Sequence, residues 1–265
     1  MDMQHAKHCG ESCECQGVAS NDERETSRLE RIMGHEGLQR LANSTVMVLG
    51  LGGVGSNCVE ALARGGVGHL VLVDRDVVQP SNINRQAIAF QSTVGRRKVD
   101  VCKAMVRDIN PDIAVDTRHM LVLSDNVSAL LDSFERVDYV VDALDSVAVK
   151  LALAELADNQ GFPLVSAMGI ANKLYPESLR FDDVFNTMNC PLCRIMRKEA
   201  RKRGIRKLDV LYSREQPVPV PVSEGASRSD RSNLGTVSYM PPIMGQMLAG
   251  WVIRRLAGME EGGRR

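Results

Sequence analysis

The run Gly50-Leu51-Gly52-Gly53-Val54-Gly55 limits most tightly how this 265-residue chain can fold. It follows Thr45 to Leu49, an uncharged and mostly apolar run that reads as a buried strand, and it opens a helical pattern from Val54 to about Arg64. Glycines at the first, third and sixth places permit a tight turn, a close backbone approach and tight helix packing. The first-turn N–H groups of such a helix face whatever sits above the loop and favour a phosphate or pyrophosphate. Asp74 closes the next apolar run, His69 to Val73, 19 residues after Gly55, where a carboxylate can bind ribose hydroxyls. A lone glycine turn could equally serve only to pack a helix. Strand, loop, helix, strand and acid in this order favour a nucleotide site.

The alternation continues. Gly95 to Asn110 reads as a helix stopped by Pro111, Ala114 to Thr117 as a short strand, and Asn126 to Leu131 as a short helix. Val137 to Val141 reads as a strand, Ser146 to Asn159 as a helix and Leu164 to Ala167 as a strand. Apolar strands separated by helices predict an α/β, Rossmann-like, mostly parallel sheet with helices on both faces. Ahead of it, Ser27 to Asn43 is helical in spacing, with a break expected at Gly34 or Gly37, and residues 1–20 form a polar arm, expected to be mobile. Residues 21–265 then make one domain, with a C-terminal extension from about residue 177. That extension should contain a basic helix (Cys190 to Arg203), a strand (Leu208 to Tyr212), a long flexible loop rich in Pro, Ser and Arg (Ser213 to Leu234), and a helix (Pro241 to Leu256).

Lys+Arg and Asp+Glu both number 33, so any polyanionic partner must be met by a local patch rather than by net charge. No apolar run approaches the roughly 20 residues that span a bilayer. Seven cysteines, an odd number, with Cys58 and Cys102 in helical patterns, suit buried thiols in a reducing cytoplasm.

Further groups belong at the carboxyl ends of the strands, where open α/β sheets bind ligands. Asp76 follows Asp74, and Asn82-Ile83-Asn84-Arg85-Gln86 comes next. Arg85 and Lys98 suit the β- and γ-phosphates of a nucleoside triphosphate; Asp145, ending the run Asp142-Ala143-Leu144-Asp145, suits a Mg²⁺ ion. The plain alternatives are a solvated Arg85, a Lys98 that only extends the basic run Arg96-Arg97, and an Asp145 that caps the helix beginning near Ser146.

On Gly50 to Ser56, Asp74-Arg75-Asp76, Asn82 to Gln86, Gly95 to Lys98, Ile109-Asn110-Pro111 and Asp142 to Asp145, the chain resembles the ThiF/MoeB-like adenylating superfamily, which includes the ubiquitin-activating enzymes. The resemblance runs from about Arg28 to Leu256. It implies that Gly50, Gly52, Gly53 and Gly55 cradle ATP with the Asp74–Asp76 strand end beside them, and that Asp74 holds the ribose. Asn84, Arg85 and Lys98 would contact phosphates, and Asp145 would organise Mg²⁺. Arg28 is similar to an arginine that reaches the phosphates from the other subunit, which implies a homodimer. Three stretches, His35 to Leu38, Cys190 to Gly204 and Gly235 to Pro241, resemble the tRNA threonylcarbamoyladenosine dehydratases. Such enzymes adenylate the threonine carboxylate of a modified adenosine in tRNA, and ring closure then expels AMP.

Arg194 to Lys207 holds eight basic residues and one acid. Arg194, Arg197, Lys198, Arg201 and Lys202 fall largely on one helical face, which can dock tRNA phosphates or can equally be a solvated surface. Cys190-Pro191-Leu192-Cys193 is a single C-x-x-C, with no cysteine after it. Zinc would need ligands from the distant His5, His8, Cys9, Cys13 and Cys15, so two thiols on a packed helix are expected. The alternative function is adenylation of a sulfur-carrier or ubiquitin-like protein; a sulfur-relay protein stays open as a further partner. A non-catalytic nucleotide binder and an NAD-dependent oxidoreductase are the remaining readings.

Overall fold

The computed structural model describes residues 25–219 and 234–259. Expectations for residues 1–20, and for 220–233 of the proline-rich segment, lie outside the described residues.

Seven strands make one sheet. In chain order they are β1 (Thr45–Leu49), β2 (His69–Val73), β3 (Ala114–Arg118), β4 (Tyr139–Asp142), β5 (Leu164–Ala167), β6 (Leu179–Asp183) and β7 (Asp209–Ser213). Their spatial order is β3-β2-β1-β4-β5-β7-β6. Every pair is parallel except β6–β7. The helices are α1 (Ser27–Ala42), α2 (Gly53–Arg64), α3 (Lys98–Ile109), α4 (Val127–Asp132), α5 (Val147–Gln160), α6 (Pro191–Lys202) and α7 (Met240–Leu256).

Side-chain alternation along β1 splits the core in two. Val46 and Val48 pack with Leu62 of α2, Val106 of α3 and Leu248 of α7. Met47 and Leu49 pack with Leu130 of α4, Leu153 of α5 and Met196 of α6. A parallel sheet needs both faces covered, and these two helix layers cover them. The chain runs outward through β2 and β3, then returns to the other side of β1 as β4. The order therefore reverses between β1 and β4, and a crevice opens there at the carboxyl ends of the strands.

The expected α/β architecture is found, with local differences. Helix α1 breaks at Gly34 (φ 70°, ψ 169°), whereas Gly37 stays helical and buried. Helix α3 starts at Lys98 rather than Gly95, because Gly95 (φ 84°) turns the chain and its N–H bonds the Val78 carbonyl. Strand β6 was not expected. Its sequence, Leu-Arg-Phe-Asp-Asp, alternates apolar and polar over only four residues, a short signal, and the full antiparallel register with β7 holds it at the sheet edge. The segment after residue 177 thus extends the same sheet.

Helices α2 and α7 lie against each other with both N-termini at the carboxyl edge. Gly245 makes this possible, because a Cβ there would overlap the Val54 carbonyl oxygen and meet the Cys58 amide nitrogen at 2.9 Å. Gly245→Ala should therefore cost about 1–3 kcal/mol in unfolding by chemical denaturant. An unchanged midpoint would mean that α7 can lift from α2 without loss.

Candidate active site at the β1–β4 crevice

Gly50 ends β1 with φ 89°, and its N–H bonds the Val73 carbonyl at 2.8 Å. A Cβ on Gly50 would lie 2.8 Å from the Ala143 carbonyl oxygen, and one on Gly55 would run into the Gly50 carbonyl. Both positions are closed to side chains. Gly52 differs: it is the N-cap of α2, with extended backbone, and a Cβ there would meet nothing within 4 Å. The open side of Gly52 and the first turn of α2 form a cradle of backbone N–H groups, which suits phosphate.

Asp74 is buried beneath the loop. Its Oδ2 accepts the Leu51 N–H at 2.6 Å and its Oδ1 accepts the Asp76 N–H at 2.7 Å. A carboxylate offers about four acceptor positions, so both oxygens can still meet ribose hydroxyls. Its first structural task, not foreseen from sequence, is to tie the glycine loop to the turn after β2.

That turn carries the first cation. Lys98 Nζ lies 3.1 Å from Asp76 Oδ2, and the Lys98 N–H donates to the Asp76 carbonyl at 3.0 Å. The Lys98 side chain is 7% exposed and the Asp76 side chain 54%, so the ammonium reaches the surface beside a half-open carboxylate. Lys98 is therefore not one more solvated member of the run Arg96-Arg97-Lys98.

The second cation is Arg85. Its stem crosses Gly53, where a Cβ would meet Arg85 Cγ at 3.1 Å. Its Nη1 donates to the Ser81 carbonyl at 2.9 Å and to Asn84 Oδ1 at 2.8 Å. Asn57 Nδ2 donates to both the Gly53 and Arg85 carbonyls and fastens the two segments together. Asn84 Nδ2 donates to the Thr236 carbonyl at 3.1 Å. This ties the phosphate side of the site to the segment leading into α7. Gln86, next in the chain, is buried with an Oε1 that has no partner among the described residues; sequence reasoning gave it no role.

Asp145 is exposed on the loop after β4, two residues beyond the Ala143 carbonyl that abuts Gly50. The N-cap of α5 is Ser146, whose hydroxyl accepts from the Val149 N–H at 3.5 Å. The loop is anchored from below by Asp142, which accepts Lys150 Nζ at 2.9 Å, Ser166 Oγ at 2.8 Å and the Leu144 N–H at 3.1 Å. Asp142 and Lys150 are both fully buried. The sequence signal for this pair was a lysine inside the apolar run Val147 to Ala154.

The residues gathered at one edge are thus Gly50, Gly52, Gly53, Gly55, Asp74, Asp76, Asn84, Arg85, Lys98 and Asp145. Arg28 is not among them. Its neighbour Thr26 lies against Gly66, just past the far end of α2, and twelve residues of helix put that end about 18 Å from the glycine loop. A protomer's own Arg28 is therefore remote from its own cradle.

Mg²⁺ binds through one or two carboxylates plus phosphate oxygens rather than a protein cage. Exposed Asp145 and half-open Asp76 are suited to that arrangement. Among the described residues no group of three or more His, Cys, Asp or Glu side chains could hold a metal.

The basic stretch is less free than its sequence suggests. Arg197 Nη1 donates to the Thr187 carbonyl and hydroxyl, and the Arg201 guanidinium lies over the Phe185 ring at 5.4 Å. Lys202 pairs with Glu199, Arg203 with Glu155, and Arg206 with Asp158. Arg194 and Lys198 are exposed on α6.

Cys190 caps α6, its Sγ accepting the Cys193 N–H at 3.5 Å, and both thiols are buried. The hydrogen bond from the Cys193 thiol, aided by that N–H and by nearby Lys173, pulls Cys190 down to about 6. The same thiol contact, with burial, pushes Cys193 up. Burial likewise lowers Lys173, whose Nζ donates to the Ser213 carbonyl at 2.9 Å. Cys58 and Cys102 are held above the ordinary thiol range by burial, as inert core residues.

A family model described as the ThiF family matches residues 24–264. A tRNA threonylcarbamoyladenosine dehydratase of Bacillus subtilis is 38% identical over 239 residues, covering 87% of this chain and 93% of that protein. The enzyme of that name from Escherichia coli is 34% identical, covering 74% and 75%. A crystal structure of the E. coli tRNA N6-threonylcarbamoyladenosine dehydratase in complex with ATP superposes with a TM-score of 0.80 at 29% identity, covering 90% of this chain and 96% of that one.

Two outcomes follow from these contacts. Asp142→Ala, which strands the Lys150 ammonium in the core, should lose about 3–5 kcal/mol of stability in denaturant unfolding. A loss within experimental error would show the pair to be dispensable. Ultraviolet absorbance should follow one thiolate forming with a midpoint of about pH 6, absent in Cys190→Ser. Because its folded value lies below the unfolded one, Cys190 should add stability that is present above the ordinary thiol range and lost as pH falls through about 6. A first thiolate appearing only near pH 9, the ordinary value for a thiol, would contradict this.

Proposed function

Since this chain belongs to the ThiF family, we propose that it uses ATP to adenylate the threonine carboxylate of threonylcarbamoyladenosine in tRNA and then closes that group into a ring. The observation that carries this reading is the convergence of two cations, Lys98 and Arg85, with the N-terminus of α2 at one crevice. An NAD site needs the glycine loop and the ribose carboxylate but has no γ-phosphate to engage two further cations. The ATP and the substrate named for the relatives above point the same way.

In this mechanism the α2 cradle and Arg85 hold the triphosphate, Lys98 draws charge toward the β- and γ-phosphates, and Asp74 fixes the ribose. Asp145 would hold a Mg²⁺ ion, whose charge would offset part of that on the phosphates. The carboxylate attacks the α-phosphorus in line and pyrophosphate leaves. Catalysis is then chiefly positioning and charge stabilisation by preorganised groups. In the acyl adenylate, the carbamoyl group of the same side chain attacks the activated carbonyl carbon and AMP departs. The carboxylate has lost one oxygen to AMP and the ring has formed, a net loss of one water. No protein nucleophile is required, in keeping with the burial of Cys58, Cys102, Cys190 and Cys193. Such thiols suit a cytoplasmic protein.

Arg28, at the far end of α2 from its own cradle, acts in this scheme on the site of a second copy, which makes the working unit a homodimer. Arg194 and Lys198 on α6 supply phosphate contacts to tRNA.

Two measurements test this. ATP–pyrophosphate exchange should depend on tRNA bearing the modified base, and Lys98→Ala should lower it about 100-fold or more, the usual effect of losing one preorganised charge. Exchange driven instead by the C-terminus of a carrier protein would replace the tRNA reading. Mixing inactive Arg28→Ala with inactive Lys98→Ala protomers should restore about a quarter of wild-type activity, because about half of the dimers pair one of each and every such dimer carries one intact site of two. No recovery would contradict the action of Arg28 on the site of a second copy.

A further inference from the structure

The chain has four tyrosines. Tyr139 and Tyr212 are buried, whereas Tyr175 is 55% exposed and Tyr239 43% exposed. The exposed pair belongs to one assembly: Tyr239 Oη donates to the Leu174 carbonyl at 2.8 Å, so the second ring is fastened to the segment that carries the first. Neither ring has a role in the nucleotide site, yet both stand at its rim. Tyr239 lies two residues before Pro241, whose Cβ would be 2.7 Å from a Cβ on Gly53. Tyr175 lies between β5 and β6, at the edge where Leu179 pairs with Ser213, the last residue of β7. Because β7 runs parallel to β5, and β5 to β4, this is also the edge that carries the Asp145 loop.

The backbone beneath the rings is fixed. The N–H groups of Leu174 and Tyr175 both donate to the Glu215 carboxylate, at 2.9–3.0 Å. Asn172, at φ 58°, exchanges hydrogen bonds with Gly235: its N–H donates to the Gly235 carbonyl and its Oδ1 accepts the Gly235 N–H. Leu174 and Met188 add exposed apolar surface. Two acids lie in this neighbourhood: Glu177 is exposed, and Glu215 is engaged by backbone N–H groups; Arg214 beside Glu215 is exposed, and Asn189 Nδ2 donates to the Arg214 carbonyl, linking it to the start of α6 and Arg194. Two exposed aromatic rings on a rigid frame, with cations alongside, match what an unpaired RNA base requires: a π-face to stack on and a positive groove for its phosphates.

We propose that Tyr175 and Tyr239 form the stacking platform for unpaired bases next to the carboxylate-bearing adenosine, and so set where the RNA substrate enters. This rests on the tRNA reading above and adds to it the side of the crevice from which the acceptor arrives: the β5–β7 side, opposite the Lys98–Asp76 side. The exposed Tyr239 within Gly235 to Pro241 thereby gains a task that the nucleotide chemistry leaves it without.

The test uses the full chain and an anticodon stem-loop hairpin carrying threonylcarbamoyladenosine, with binding read by fluorescence anisotropy and ATP affinity by calorimetry. Tyr175→Ala with Tyr239→Ala should weaken hairpin binding about 10- to 100-fold, as loss of base–aromatic stacking does, with ATP affinity unchanged. The salt dependence of binding should keep its slope, because no phosphate contact is removed. Tyr175→Ala alone, which removes no hydrogen bond of the Tyr239 hydroxyl, should show part of that loss. Tyr175→Phe with Tyr239→Phe should bind as the wild type does. If the wild type binds the hairpin and the alanine pair binds it equally well, the platform is refuted while the tRNA reading stands. If the wild type binds no hairpin and adenylates a carrier-protein tail, both fall together.

Discussion

The buried carboxylate of Asp74 is the contact on which the arrangement of the site depends. One oxygen takes the N–H of Leu51 inside the glycine loop and the other takes the N–H of Asp76 after β2. Asp76 in turn holds Lys98. A charge-assisted hydrogen bond of 2.6 Å to a backbone N–H is among the stronger polar contacts a protein makes. Through it, the glycine loop and Lys98 become one connected unit. Asp142 does the corresponding work on the other side of the crevice, with Lys150 and Ser166 below it and the Leu144 N–H above.

This construction explains how a site made mostly of loops can be stiff. The loops after β1, β2 and β4 are each pinned by a carboxylate or an amide side chain: Asp74, Asn57 and Asp142. Helix α7 then closes the assembly from the C-terminal third, with Pro241 against Gly53 and Gly245 against α2. The hydrogen bond from Asn84 to Thr236 joins the phosphate side to the segment that bears Tyr239. The glycine-loop crevice and the exposed tyrosine surface thus share a frame.

Much of this was legible in the sequence because its determinants are local. A glycine loop between a strand and a helix constrains a few neighbouring residues, and the apolar runs of the parallel strands are short and continuous. What escaped is set by residues far apart in the chain. Strand β6 carries only four alternating residues of its own, and the full register that β7 offers completes it. The basic run after Arg194 read as an open patch, yet Arg203 and Arg206 reach acids 48 residues away on α5. Arg28 read as a phosphate ligand supplied by the other subunit, and within one protomer it stands at the far end of α2 from the cradle. Lys150 did leave a trace, a charge within an apolar helix, although nothing nearby in sequence named Asp142 as its partner.

Activation of the carboxylate of a modified adenosine in tRNA is the reaction we propose for this crevice. Mass analysis of the nucleosides of that tRNA, after incubation with the protein, ATP and Mg²⁺, tests it most directly. Threonylcarbamoyladenosine should lose the mass of one water in the presence of ATP and keep its mass without it. An unchanged nucleoside mass, under conditions where the protein binds ATP and the tRNA, would contradict it.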